Sequence, residues 1–578
     1  MMKRILFGLA VMLCCIFFTA CDIEGRNGNA PISKDPATIA KGELVFNQHC
    51  SGCHNFRQDG IGPQLGGLTT KVSSGWIYAF IKEPQSLINS GDDRAKQLYG
   101  KYKTVMPSFV ALGDTGLNAV IAFLHKHSLP ESKISHENGQ PLSNPIPEVV
   151  AVSDLVATLT PLTQFPSTSE AGKLPRARIT KLDYQPGSGK LFVVDQRGTL
   201  YRLQENRPSI YLDLARLKPK FIDQPGFGSG FGSFAFHPQF ASNGLFYTTH
   251  TESPGSGLAD FSYADSIKVT LQWVLTEWKA TDPEAGTFSG TNRELMRVNM
   301  VAPNHGVQEI TFNPLAGPGS EDYQLLYIGI GDGGSVENGY VSLVNAPLTV
   351  WGTILRVDPT GRNSRNRKYG IPETNPFADN PNKNLQPEIY AYGFRNPHRI
   401  TWSRSRGMLV SNIGHGNIEA LDMVEKAHNY GWPEREGSFL INPHGEMNKV
   451  YPLPGGDSIK HINYPVAEYD HDEGKAISGG YEYSGNDVPG LKEKFLFGDI
   501  PTGRLLFVDI IKLRQGSRAP VMEWRVAVNG KIKTLVDLCG SKRVDLHFGK
   551  DSRGELYIMT KADGRLYKIT GLAPDVNR

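Results

Sequence analysis

The chain has 578 residues, with 61 Lys and Arg against 58 Asp and Glu, 62 glycines and 10% aromatics. The near balance of charge excludes the basic composition of a nucleic-acid binder, so no nucleic-acid partner is expected. The length suits three or four ordinary domains, or fewer if one is a large β domain; abundant glycine and aromatics favour many short strands joined by turns.

Residues 1–21 read as a targeting segment. Lys3 and Arg4 precede an apolar run from Ile5 to Phe18 that is too short for a membrane span. The run ends in Phe18-Thr19-Ala20-Cys21, which resembles a bacterial lipoprotein signal, with Phe18 where Leu is usual. The resemblance implies lipidation of Cys21, export to the cell envelope and a lipid anchor in a membrane facing the periplasm or the cell surface. Ordinary secretory cleavage is the alternative. Residues 22–35 form the expected flexible leash.

Cys50-Ser51-Gly52-Cys53-His54 is a C-x-x-C-H sequence. Two thiols three positions apart can each bond one vinyl group of a porphyrin, and the following imidazole then faces the iron. A zinc site would need a second C-x-x-C, and a thioredoxin-like pair a preceding strand–helix pattern; neither is present. Gly62-Pro63-Gln64-Leu65-Gly66-Gly67-Leu68 resembles a stretch of small cytochromes c in which the proline carbonyl orients the imidazole. Met106 stands where such domains place a second axial ligand. Helical patterns cover 40–48, 74–81 and 114–127, so residues 36–128 are expected to form a small all-α domain. It would carry one haem c on Cys50 and Cys53, with His54 and Met106 on the iron, a pairing that raises the iron potential. Cys14 and Cys15 leave with the signal, and Cys539 remains as a buried small hydrophobe, so no structural disulfide is expected.

Pro130, Pro141, Pro145, Pro147, Pro161, Pro166 and Pro175 interrupt residues 129–175, predicting an extended linker. From 176 to 570 a unit of short alternating strands and glycine turns repeats six times. The units begin near Ile179, Ser233, Gln308, Arg399, Gly480 and Val544. Such repetition predicts an all-β six-bladed propeller, and the chain as a whole is multidomain.

The loops of this region carry a family resemblance. Phe234-Ala235-Phe236-His237-Pro238 with Asn243-Gly244-Leu245-Phe246-Tyr247, Asn304-His305-Gly306, Gly331-Asp332-Gly333-Gly334, Tyr392-Gly393-Phe394-Arg395-Asn396-Pro397 and Asn429-Tyr430-Gly431-Trp432-Pro433 resemble, in order, motifs of the glucose/sorbosone dehydrogenases. These are propellers that use pyrroloquinoline quinone (PQQ) and calcium. The resemblance implies His305 as the base that takes a hydroxyl proton, and Arg395 with Asn396 as contacts to the PQQ carboxylates. Arg504, Lys542 and Arg543 are further PQQ candidates by location. The loop at 412–419 would hold calcium through the carbonyls of Gly414 and His415. Three features depart from the family: the run Gly228–Gly232 lacks an expected polar residue, Lys542-Arg543-Val544-Asp545 lacks the usual basic spacing, and Ile500-Pro501-Thr502-Gly503-Arg504 stands where a fifth-blade lysine is usual. The expected function is oxidation of a sugar or other alcohol, with electrons passing to the haem and on to a respiratory carrier. The alternative is a propeller without PQQ that serves as a glycan- or protein-docking module for the cytochrome.

Overall fold

A computed structural model describes residues 31–573 except positions 52, 103, 129–138, 171, 173, 225–227 and 345. The targeting segment, Cys21 and most of the leash lie outside the described residues.

The N-terminal domain is helical. Its first helix, Pro36–His49, starts at Asp35, whose carboxylate accepts from the Thr38 amide at 2.8 Å, with proline at the first helical position. Ser73 caps Ser74–Lys82 in the same way, and Pro84–Ser90, Asp93–Tyr102 and Gly113–His125 follow. Val45 and Phe46 of the first helix share one apolar core with Val120, Phe123 and Leu124 of the last. Burial of these side chains fixes the scaffold around the segment between them.

The C-terminal part is built of six four-stranded antiparallel units. Their innermost strands are Ile179–Tyr184, Phe231–Phe236, Glu309–Phe312, Pro397–Ser403, Ile477–Glu482 and Leu546–Lys550. Each packs on the next and the sixth returns to the first, so the units are blades around a central axis. Runs such as Phe231–Phe236 are buried throughout because each blade covers its neighbour on both faces.

The linker expectation needs one correction. Ala151–Gln164 is a 14-residue strand that completes the sixth blade, antiparallel to Arg565–Leu572, and it also runs parallel to Met522–Val528 of the fifth. Pro161 pairs with Tyr567 on one side only. Its missing N–H lies on the outer edge, where a strand tolerates proline. The start and end of the propeller are thereby stitched together.

Candidate functional site

Chain direction sets which loops meet. All six inner strands run the same way, so the loops that enter them share one face with the turns joining the second and third strands of each blade. That face collects Arg178, Gln196, His305, Asp332, Arg395, His415, Arg543 and Lys561.

His305 is buried and held in the left-handed region at φ 49°. Its Nδ1 lies 2.8 Å from Asp332 Oδ1, and Asp332 is fully buried. Trp432 Nε1 donates to the other oxygen of Asp332 at 3.1 Å, and the Gly334 amide to the first at 2.9 Å. This carboxylate fixes the ring with Nε2 as the basic end, near Asn304 Nδ2 at 3.5 Å. A strained residue held by an overdetermined set of contacts is characteristic of a working site.

The structure separates the expected basic contacts. Arg395 is buried beside His305, stacked over Trp432, with Glu337 at 2.5 Å and the Gly414 carbonyl accepting from it; its Nε has no partner. Asn396 is buried next to it, its backbone N–H donating to Asn412 Oδ1. Arg504 does not reach a ligand position. Its guanidinium is taken by Glu473 and Glu523, each at 2.6 Å, acids whose nearness in space the sequence does not announce. Lys542 lies over the Tyr99 ring of the helical domain. Arg543 lines the cavity of that domain.

The 412–419 loop does not fit calcium. Glu436 Oε1 gathers the amides of His415, Gly416, Asn417 and Ile418 at 2.7–3.1 Å, so the loop turns its donors inward. The Gly414 carbonyl faces a guanidinium, a partner that repels a divalent cation. Calcium requires six to eight oxygen ligands. Glu337 is already engaged: burial pushes its carboxyl up, but the His415 hydrogen bond and the Arg395 charge hold it well below the usual range.

Sequence reasoning passed over Lys561 and Arg178. Lys561 is buried with its Nζ on Gln196 Oε1 at 3.0 Å. Its pKa falls to about 7, through burial first, opposed by the charge of Asp545 and aided by those of Arg178, Arg543 and Arg399. Burial and Arg197 likewise lower Arg178, to about 10. Arg178 Nε, His398 Nδ1 and His547 Nε2 are buried without partners. Crowded buried cations and unpartnered ring and guanidinium nitrogens suit a rigid anion bearing several carboxylates. The available signal was positional: Lys561 occupies in blade six the turn that Asp332 occupies in blade three.

A pH test follows from Lys561. Below pH 7 it is charged in both folded and unfolded chains, and the fold bears the full burial penalty. Between pH 7 and its usual 10.5 only the unfolded chain keeps the proton, so this group's contribution to stability rises with pH. Lys561→Met in the cofactor-free protein is expected to raise the unfolding temperature at pH 7 and to flatten its rise toward pH 9 in calorimetry. Equal slopes in the two proteins would contradict this.

In the helical domain Cys50, Cys53, His54 and Met106 line one cavity of about 190 Å³, walled by Phe46, Leu65, Trp76 and Leu124 among others. His54 Nδ1 donates to the Pro63 carbonyl at 2.8 Å, so Nε2 is the nitrogen left for a metal. A Cβ on Gly62 would overlap the His54 ring, which explains glycine there. Burial pushes both thiols up to about 12. The residues fit a covalent haem. Cys539 is likewise raised to about 12, mainly by burial, consistent with an unreactive thiol.

The two domains meet on the His305 face. His415 Nε2 donates to the Asp59 carbonyl at 3.0 Å while its Nδ1 faces Glu337 at 3.1 Å. Arg57 packs where a Cβ on Gly339 would stand, and Lys268 pairs with Glu43 at 2.5 Å. The haem-attachment loop therefore sits against the propeller beside Glu337, Arg395 and Arg543.

Residues 180–568 match the family model described as Glucose / Sorbosone dehydrogenase, and residues 39–128 match Cytochrome c. The HIPL1 protein of Arabidopsis thaliana is 28% identical over 371 residues, covering 56% of this chain and 51% of that protein. Quinoprotein glucose dehydrogenase B of Acinetobacter calcoaceticus is 25% identical over 311 residues, covering 49% and 55%. The chain spans about half the length of the curated relatives it matches. The soluble aldose sugar dehydrogenase of Escherichia coli, solved in the apo-form, aligns at TM-score 0.49 and 17% identity, covering 72% of this chain and 100% of that one.

Proposed function

The chain belongs to the Glucose / Sorbosone dehydrogenase family, with a cytochrome c domain ahead of the family region, and on that premise we propose that it oxidises a sugar or other alcohol and delivers the electrons to its own haem. When bound, PQQ supplies a two-electron acceptor, and haem c a one-electron carrier. His305 Nε2 takes the hydroxyl proton of the substrate, an imidazole being suited to this near neutral pH. Asp332 orients the ring and stabilises the proton it gains, as the buried partner of a catalytic histidine does. Arg395, Arg178 and Lys561 would hold the carboxylates of the quinone, the unpartnered Nε atoms of Arg395 and Arg178 being the donors left for them. The alcohol becomes a carbonyl by giving its hydroxyl proton to His305 and its carbinol hydrogen, with the C–H electron pair, to the two-electron acceptor as hydride. The electrons leave singly through the haem to a respiratory carrier.

The observation that carries this reading is the shared face: the loop bearing the haem cysteines rests on the same loops that hold His305 and Arg395. The test is anaerobic haem reduction in the exported, haem-loaded full chain, after adding PQQ and then aldoses, polyols or simple alcohols. Ferrous haem that appears only with both PQQ and a substrate supports the reading. Haem that stays ferric, with no PQQ retained on gel filtration, refutes it.

A docking module without PQQ is the second reading. It rests on the Arg395–Glu337 pair, which already neutralises one expected PQQ contact. We place the protein outside the cytoplasm, tethered through Cys21, because haem attachment to C-x-x-C-H and the targeting segment both call for export.

A further inference from the structure

The helical domain does not close its cavity alone. Arg543, from the loop entering the sixth blade, lines it together with Cys53, Tyr99 and Tyr102. Its guanidinium is paired with Asp545 at 2.9 Å and is near enough to Cys53 for each to act on the other electrostatically. The neighbouring Lys542 lies 5.5 Å from the Tyr99 ring centroid, and the His415–Asp59 contact is a further tie between the two domains. The position of Arg543 at the cavity is thus set by the docking of the two domains.

We infer that Arg543 is a haem-site residue supplied by the propeller, and that its charge holds the haem at a higher potential than the helical domain would set by itself. Ferric haem carries one more positive charge than ferrous haem. A buried cation at its edge penalises the ferric form, and the effect is strong because little water screens it. One electron enters the iron, and the step needs no proton. Asp545 offsets part of the cation's charge, so removing either member of the pair moves the potential in opposite directions. The assignment rests on Cys50 and Cys53 carrying haem and is independent of PQQ and of the substrate.

The test is spectroelectrochemical titration of the full-length, haem-loaded protein. Arg543→Gln is expected to lower the ferrous-to-ferric ratio at fixed ambient potential by roughly tenfold, a fall of about 59 mV for a one-electron couple. Arg543→Lys restores most of it, because the charge rather than the fork matters here. Asp545→Asn shifts the potential upward. A midpoint for Arg543→Gln equal to that of the wild type, with an unchanged haem spectrum, overturns the inference. Should Arg543→Gln not load haem, Asp545→Asn decides: a midpoint at or below the wild-type value overturns it. The wild-type haem spectrum, recorded first, separates failure of the haem assignment from failure of this one.

Discussion

Replacing His305 by alanine is expected to slow substrate-dependent haem reduction by about 10²- to 10⁴-fold, the usual weight of a positioned general base. The buried Asp332 holds Nδ1 at 2.8 Å, so the basic lone pair of the neutral ring lies on Nε2 and cannot rotate away. Asp332→Asn keeps the shape but presents the ring with an amide that fits either tautomer, and the rate is expected to fall between wild type and His305→Ala. Trp432→Phe removes one of the hydrogen bonds to Asp332 and is expected to have the smallest effect of the three. Stopped-flow reduction with saturating substrate measures the series. The dithionite-reduced haem spectrum should be the same in all variants, since His305 is not a haem ligand. A His305→Ala enzyme with wild-type rate would remove the imidazole from the chemistry. Rates that rank in the order given would tie the Trp432–Asp332–His305 hydrogen-bond chain to the chemistry.

Much of this site could be read from the chain, for identifiable reasons. C-x-x-C-H, the proline nine residues after His54 and Met106 are local patterns whose geometry follows from short spans of backbone. The inner hairpins of the blades were legible because fully buried strands read as apolar runs bounded by glycine turns. Partners distant in sequence were not legible. Arg504 looked like a ligand contact because its loop lies on the right face, yet Glu473 and Glu523 reach it first. Arg543 looked like a second such contact, yet the domain that it meets starts 500 residues earlier. Ala151–Gln164 was hidden because its pairing partners, Arg565–Leu572 and Met522–Val528, lie at the other end of the chain and its one proline, Pro161, reads as a break. Glu337 and Lys561 sit in no motif. Their importance comes from burial beside charges, which only the fold creates.

The second large effect concerns the axis beneath this face, where Glu309→Ala is expected to destabilise the propeller by about 3–5 kcal/mol. Glu309 accepts from Lys181 Nζ at 2.6 Å and pairs with Arg399 at 3.2 Å, and all three side chains are at most 5% exposed. Lys181 also reaches Ser233 Oγ and the Ile310 carbonyl, while Arg399 donates to the carbonyls of Thr180 and Gln308. One carboxylate therefore balances two buried cations while their remaining donors join the inner strands of blades one to four. Removing the carboxylate leaves both cations in a medium where an unpaired charge is costly. Its paired replacement, Lys181→Met with Glu309→Leu, leaves only Arg399, which keeps three carbonyl acceptors, so that double variant should recover part of the loss. Denaturant unfolding followed by tryptophan fluorescence of the propeller measures both. A loss below about 1 kcal/mol for Glu309→Ala would mean that water enters the axis and screens the pair. The consequence for function lies one or two residues along the strands from the site: Arg399 follows His398 and the Arg395 loop, and Thr180 lies two residues beyond Arg178. A loosened axis should therefore weaken anion binding at the face above it while leaving haem attachment intact, because Cys50 packs against the separate apolar core of the helical domain.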